Sequence, residues 1–379
     1  MTPPESAPKK GLEDIVAATS SICFIDGVQG RLIYCGYDIH DLVNATFEEV
    51  AYLLYFGRLP NVRELEEFKV DLAAKRRLPK EVLEFLKTVP SNVTPMEALR
   101  TAVSELGLYD PDAQLPATDL ESDRRKAMRL LAQTATIVAA DDRIRHGKEP
   151  VSPRADLSHA ANFLYMLTGE EPDIEIARIF DICLILHADH ELNASTFSAR
   201  VTAATLSDIH SAVTSAVGTL KGPLHGGANE QVMRMLLKIG DVEHVEEWIK
   251  DALARKEKVM GFGHRVYKTM DPRAVHLKKF SQMLCERVGE PKWYLMSEKI
   301  EAEVLKQKGL YPNVDFYSAS AYYCMRLPID LFTPIFAVSR VAGWTAHVLE
   351  QYANNRLIRP TADYTGPVDV VFKPLADRG

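Results

Sequence analysis

GPLHGGANE, residues 222–230, sets one histidine between a proline-leucine step and a pair of glycines. A glycine-rich loop that cradles phosphate leaves a strand and opens a helix within a βαβ unit, so its surroundings decide between an α/β nucleotide-binding fold and something else. The residues before it, 194–220, carry the apolar spacing of a helix and no strand. A metal site needs further ligands at binding distance, and this loop offers His225 alone. What remains is a histidine held against a substrate, with glycines that let the substrate come close.

Helix signals dominate outward from there. Thr46 to Glu49, Asn61 to Glu64 and Thr94 to Glu97 each have the capping-box pattern, and Pro95 stands at a first helical position, where its missing N–H costs nothing. Apolar periodicity predicts further helices at about 122–146, 156–168, 172–190, 194–220, 228–238, 242–255, 272–287, 292–308, 315–325 and 330–354. SSICFIDGVQGRLIYCG, residues 20–36, alternates around a glycine-containing turn and predicts a small N-terminal β-hairpin. The expected fold is therefore mainly α.

Composition narrows the partners. A net charge of −7 and a pI near 5.9 give no global basic field toward nucleic acid or an acidic membrane. No stretch reaches the roughly 18 apolar residues of a membrane span. The cysteines, 23, 35, 183, 285 and 324, are odd in number, widely spaced and without a CxxC, which predicts neither a disulfide framework nor a zinc site and fits a reducing cytoplasm. MTPPESAPKK, residues 1–10, resembles no signal or transit peptide and reads as a loose tail.

Two glycine-bearing loops, GPLHGGANE and KVMGFGHR (258–265), with an irregular stretch at YPNVDFYS (311–318), bracket a candidate smaller domain, 222–326. A larger helical domain would then comprise 11–221 and 327–379, with the loops at the hinges, where ligand sites favour the cleft.

Within GFGHRVYKTMDPR (261–273), His264 follows Gly-Phe-Gly and precedes Arg265, Lys268 and Arg273. The glycines would leave backbone groups open to a flat ring or phosphates; the cations fit phosphate or carboxylate, or else a solvated basic loop. Asp315, near a helix start among apolar and aromatic residues, is either a cap or a carboxylate raised by desolvation into the range of a general base. HADHELNAST (187–196) places His187, His190 and Glu191 where a helix would bring them to one face, a conceivable metal site that would point to a metal-dependent hydrolase; a hydrogen-bonded core or anion-binding histidine is the other reading. Arg340 in SRVAGW (339–344) is a charge inside an apolar helix and needs a partner or a ligand. Arg356 and Arg359, in NNRLIRPTADY (354–364), follow that helix in a segment able to reach a neighbouring subunit.

Together, in order and spacing, GPLHGGANE, GFGHRVYKTMDPR, NVDFYS, LHADHELNAST and SRVAGW with RLIRP are very similar to the citrate synthase family, from Gly11 to about Pro367. The length resembles the compact bacterial and archaeal form. That resemblance implies a large helical domain with a small mobile one, in a homodimer that shares its active sites. It implies His225, His264 and Asp315 as catalytic residues; His190, Arg273, Arg340 and Arg359, the last from the partner subunit, around oxaloacetate; and Lys258, Val259, Met260, Gly261, Phe262, Gly263, Arg265 and Lys268 along CoA. It implies acetyl-CoA as a substrate and neither cofactor nor metal. A scaffold that has lost activity is disfavoured because every one of these positions is filled. The nearest alternative is 2-methylcitrate synthase, using propionyl-CoA, since one methylene in an apolar pocket discriminates weakly.

Overall fold

The computed structural model describes residues 10–12 and 15–378. The expected tail, 1–10, lies outside them except for Lys10, which opens the 3₁₀ turn Lys10–Leu12. Among the described residues there are sixteen α-helices and one small sheet, so the mainly α expectation holds. The hairpin pairs β1 (Cys23–Asp26) with β2 (Arg31–Tyr34), Phe24 opposite Ile33, and a two-residue β3 (Tyr37–Asp38) extends the expected hairpin to three antiparallel strands.

All three predicted capping boxes form, at helices Phe47–Phe56, Val62–Ala74 and Pro95–Tyr109. The single helix expected over 194–220 is two, Ala194–Ala203 and Ile209–Leu220. Leu206 takes a positive φ of 61° between them, and Asp208 caps the second helix through the Ser211 N–H. Hydroxyl and carboxylate side chains there compete for the backbone, which the apolar periodicity does not register. The helix expected over 172–190 ends at His187, and helices Ile39–Leu42 and Lys80–Thr88 were not foreseen.

Helix Phe332–Ala353 is the axis of the larger group. Every residue from Phe332 to Leu349 is buried, as expected of a helix apolar on all sides. Helices Leu120–Arg145, Ile174–His187, Ala194–Ala203 and Ile209–Leu220 pack around it. In a second group, helix Pro272–Arg287 lies against Val314–Cys324, with Ala228–Ile239, Val245–Ala254 and Lys292–Lys308 beside them. The sheet sits where the groups meet: the Tyr34 hydroxyl donates to the Asp189 carbonyl at 2.8 Å, and the Lys268 N–H donates to the Gly27 carbonyl at 2.8 Å. No described helix is long and apolar enough to cross a membrane.

Candidate active site

His225 lies on the turn joining helices Ile209–Leu220 and Ala228–Ile239. The Gly226 N–H closes that turn on the Leu220 carbonyl at 3.0 Å. A Cβ on Gly226 would stand 2.4 Å from the same carbonyl, so only glycine fits. The imidazole Nε2 is 2.8 Å from Ser195 Oγ and 3.3 Å from the Ser195 N–H. Trp344 in the axial helix donates its indole N–H to the same Oγ at 3.1 Å. A backbone N–H can only donate, so Nε2 is an acceptor and the ring proton lies on Nδ1. Burial, assisted by Arg340, pushes the His225 pKa down to about 4, which leaves the ring neutral at pH 7.

His264 has the opposite tautomer. Its Nδ1 accepts the N–H groups of Val266 at 3.0 Å and Tyr267 at 3.2 Å, so Nε2 carries the proton. Burial and the neighbouring Arg273 push its pKa down to about 4. His190 is buried with Nε2 3.3 Å from the Tyr267 hydroxyl, and its ring meets that of His264 edge-on at 5.1 Å. Burial, then Arg273, drive its pKa well below the usual histidine range.

Asp315 sits in the first turn of helix Val314–Cys324, but it is not the cap: Asn313 is, accepting the Asp315 N–H at 3.0 Å. The Asp315 carboxyl is part-buried, and its Oδ1 is enclosed without a hydrogen-bond partner among the described residues. Desolvation raises its pKa to about 7; Arg273 and Arg340 oppose the rise and Asp271 adds to it. The position favours the general-base reading over the structural one.

The loops carrying His264 and Asp315 are zipped together. Gly263 N–H donates to Tyr311 O at 3.0 Å, Asn313 N–H to Gly261 O at 2.9 Å, and the Asn313 side-chain amide to Gly263 O at 3.1 Å. Gly261 has φ 82°, and a Cβ there would meet Phe316 and Val232 at 2.8 Å. These bonds occupy the Gly261 carbonyl and the N–H and carbonyl of Gly263, so those three groups hold the Asp315 loop and are not the ones left open to a flat ring or phosphates. Phe262 and Gly263 are part-buried, as are Val259 and Met260, while Lys258, Arg265 and Lys268 are exposed.

The arginines differ. Arg340 is 1% exposed, donates from Nε to the His187 carbonyl at 2.6 Å, lies over the Phe336 ring and pairs with no carboxylate among the described residues. Burial lowers its pKa to about 10, so it stays a cation at pH 7. Arg273, equally buried, gives Nε and Nη2 to Asp271, so its fork is largely occupied within the chain. Arg359 is exposed.

The conceivable metal site does not form. Helix Ile174–His187 stops before His190, Glu191 takes a non-helical φ of 51°, and His187 Nδ1 bonds the Cys183 carbonyl at 2.7 Å. Among the described residues no group of three or more His, Cys, Asp or Glu is placed to hold a metal ion. Four residues of the site escaped the sequence: Ser195, Trp344, Tyr267 and Asp271. Asp271 had a signal, a cap residue directly before Pro272 at a first helical position; Tyr267 lies three residues from His264, while Ser195 and Trp344 become neighbours of His225 only through the fold.

Residues 11–361 match the family model described as citrate synthase, C-terminal domain. Citrate synthase 2 of Bacillus subtilis is 57% identical, over 97% of this chain and 99% of that one. A 2-methylcitrate synthase of Mycobacterium tuberculosis is 45% identical, over 94% and 90%. The structure of citrate synthase from the archaeon Thermoplasma acidophilum, in ternary complex with carboxymethyl coenzyme A and oxaloacetate, superposes with a TM-score of 0.93 at 33% identity, covering 99% of this chain and 100% of that one.

Proposed function

The chain belongs to the citrate synthase family, and on that premise we propose that it condenses acetyl-CoA with oxaloacetate and water to give citrate and CoA. A thioester methyl is a very weak carbon acid, so its proton leaves only if the enolate oxygen is stabilised as it forms. Asp315 takes that proton. His225 donates from Nδ1 to the thioester oxygen, held in that tautomer by Ser195. The enol carbon attacks the ketone of oxaloacetate, and His264 hydrogen-bonds and protonates the new alkoxide from Nε2. Water then cleaves citryl-CoA, and CoA departs as the thiol.

Oxaloacetate brings two carboxylates. Arg340, the buried cation without a counter-ion, takes one in a bidentate grip. Arg273 contributes the part of its fork that Asp271 leaves free, His190 adds a hydrogen bond, and Arg359 of the partner subunit completes the set in a homodimer. CoA lies along residues 258–264, with Arg265 and Lys268 toward its phosphates. Residues 222–326 act as a small domain that closes over the cleft and keeps water from the enolate. The protein works in the cytoplasm, in the tricarboxylic acid cycle, without metal, cofactor, nucleic acid or membrane.

The observation that supports this reading is a raised carboxyl, with one oxygen enclosed and unpartnered among the described residues, on a loop hydrogen-bonded to the one that carries His264, together with two neutral histidines whose tautomers are fixed to donate. Parallel CoA-release assays with oxaloacetate and either acetyl-CoA or propionyl-CoA test it. A higher kcat/KM is expected for acetyl-CoA; a higher one for propionyl-CoA would make the protein a 2-methylcitrate synthase, the name carried by one of its relatives.

A further inference from the structure

Helices Pro272–Arg287 and Val314–Cys324 touch along a line of small side chains. Ser281 Oγ is 2.7 Å from Ser320 Oγ, and one turn further along both helices Cys285 Sγ is 3.3 Å from Cys324 Sγ. The pairing advances four residues on each helix, so the two run parallel here. Their first turns are tied together by Asp271, whose carboxylate accepts the N–H of Arg273 at 3.0 Å and of Val314 at 3.2 Å. Among the described residues, the thiol pair is the hydrogen-bonding contact that joins their last turns.

We propose that Cys285 and Cys324 form a modification site, a reversible disulfide made by hydrogen peroxide, that fastens the far ends of these two helices. One thiolate of the pair attacks hydrogen peroxide, breaking the O–O bond to give a sulfenic acid and hydroxide. The other sulfur then displaces the sulfenic oxygen as water, so two thiols and one hydrogen peroxide become one disulfide and two waters. Either thiol can donate in the 3.3 Å contact, so whichever sulfur is oxidised first has the other beside it to complete the bond. The oxidant must be small, because Cys285 is fully enclosed and Cys324 is 5% exposed at the last turn of its helix. Cys23, Cys35 and Cys183 have no second thiol within hydrogen-bonding reach among the described residues.

The bond would close a loop containing helix Lys292–Lys308 and constrain the unfolded chain more than the folded one. It lies nine residues of helix from Asp315, about 14 Å at 1.5 Å per residue, so it stabilises the helix pair without entering the chemistry. The inference stands whichever acyl-CoA the enzyme prefers.

Peptide mapping of the full chain after hydrogen peroxide, with free thiols alkylated in denaturant, tests it. Expected are a mass loss of about 2 Da, one cross-linked species joining the Cys285 and Cys324 peptides, the remaining cysteines still alkylated, reversal by dithiothreitol, and an unfolding midpoint several degrees higher in the oxidised protein. Cys285→Ser and Cys324→Ser should each lose the cross-link and the midpoint shift. Both cysteines recovered as free thiols, or as separate sulfinic acids, would overturn the site; a cross-linked protein with an unchanged midpoint would overturn the fastening. The wild-type mapping decides the first point even if a serine variant fails to fold.

Discussion

Asp271 grips Arg273 with both carboxylate oxygens, Oδ1 to Nε at 2.9 Å and Oδ2 to Nη2 at 2.7 Å, and Oδ2 also accepts the Val314 N–H at 3.2 Å. One buried carboxylate thus orients the arginine proposed to bind oxaloacetate and the start of the helix that carries Asp315. Burial alone would raise the Asp271 pKa, but Arg273 outweighs it and holds the carboxyl below the ordinary range. Asp271→Asn leaves Arg273 without its counter-charge, and breaking such a buried pair costs about 3–5 kcal/mol. Urea unfolding should record that loss, and kcat/KM should fall at least about tenfold, the effect of one displaced charge-assisted contact. A variant as stable and as active as the parent would rule out this role.

The Ser195–His225 contact gives a second expectation. Ser195→Ala removes the hydroxyl at 2.8 Å but leaves the backbone N–H at 3.3 Å, so the tautomer of His225 is weakened and not lost. A fall in kcat of about tenfold is expected, equivalent to one hydrogen bond, with oxaloacetate affinity unchanged by calorimetry. Loss of oxaloacetate binding instead would place Ser195 in the wrong half of the reaction.

Sharing across a dimer is tested by complementation. Arg359→Ala and His264→Ala proteins, each inactive alone, should regain part of their activity when mixed under conditions of subunit exchange, because one rebuilt site has both residues intact. No recovery despite exchange confirmed by mass would place Arg359 outside the partner's site.

Much of this architecture was legible because its signals are local. The Thr46–Glu49 box bonds within one turn, and Arg340 announced itself as a charge on a helix otherwise apolar. Leu206 broke a predicted helix because the Thr-Leu-Ser-Asp run offers the backbone competing partners that periodicity does not weigh. His225, His264 and Asp315 stood out in glycine-bearing or irregular loops, but their protonation did not. It depends on Trp344 reaching Ser195 across 149 residues and on Val266 and Tyr267 turning their N–H groups onto His264, which only packing decides. Arg273 was legible as a cation and hidden as half of a pair, since Asp271 is equally suited to capping its helix.

Asp315 also sets a stability trend with pH. Its carboxyl titrates near 7 when folded against 3.8 for the free group, so between those values the folded state keeps a proton that the unfolded state releases. Stability contributed by this group therefore falls as pH rises from about 4 to about 7 and stays low above that. Asp315→Asn escapes the penalty. Discounted for the exposed part of the carboxyl, the gain at pH 8 is on the order of 1–3 kcal/mol, and none is expected near pH 4. Thermal melts at both values check it; equal shifts would contradict the raised pKa.

The most direct test of the central claim, that Asp315 is the base and works between two neutral histidines, is the pH dependence of kcat/KM for acetyl-CoA in the parent and in Asp315→Asn. With His225 and His264 titrating near 4 and Asp315 near 7, the parent should rise about tenfold per pH unit below neutrality and level off above it, and the variant should lie at least about a hundredfold lower. A parent profile flat from about pH 5.5 to 8.5, or a variant keeping more than about a tenth of the activity, would contradict it.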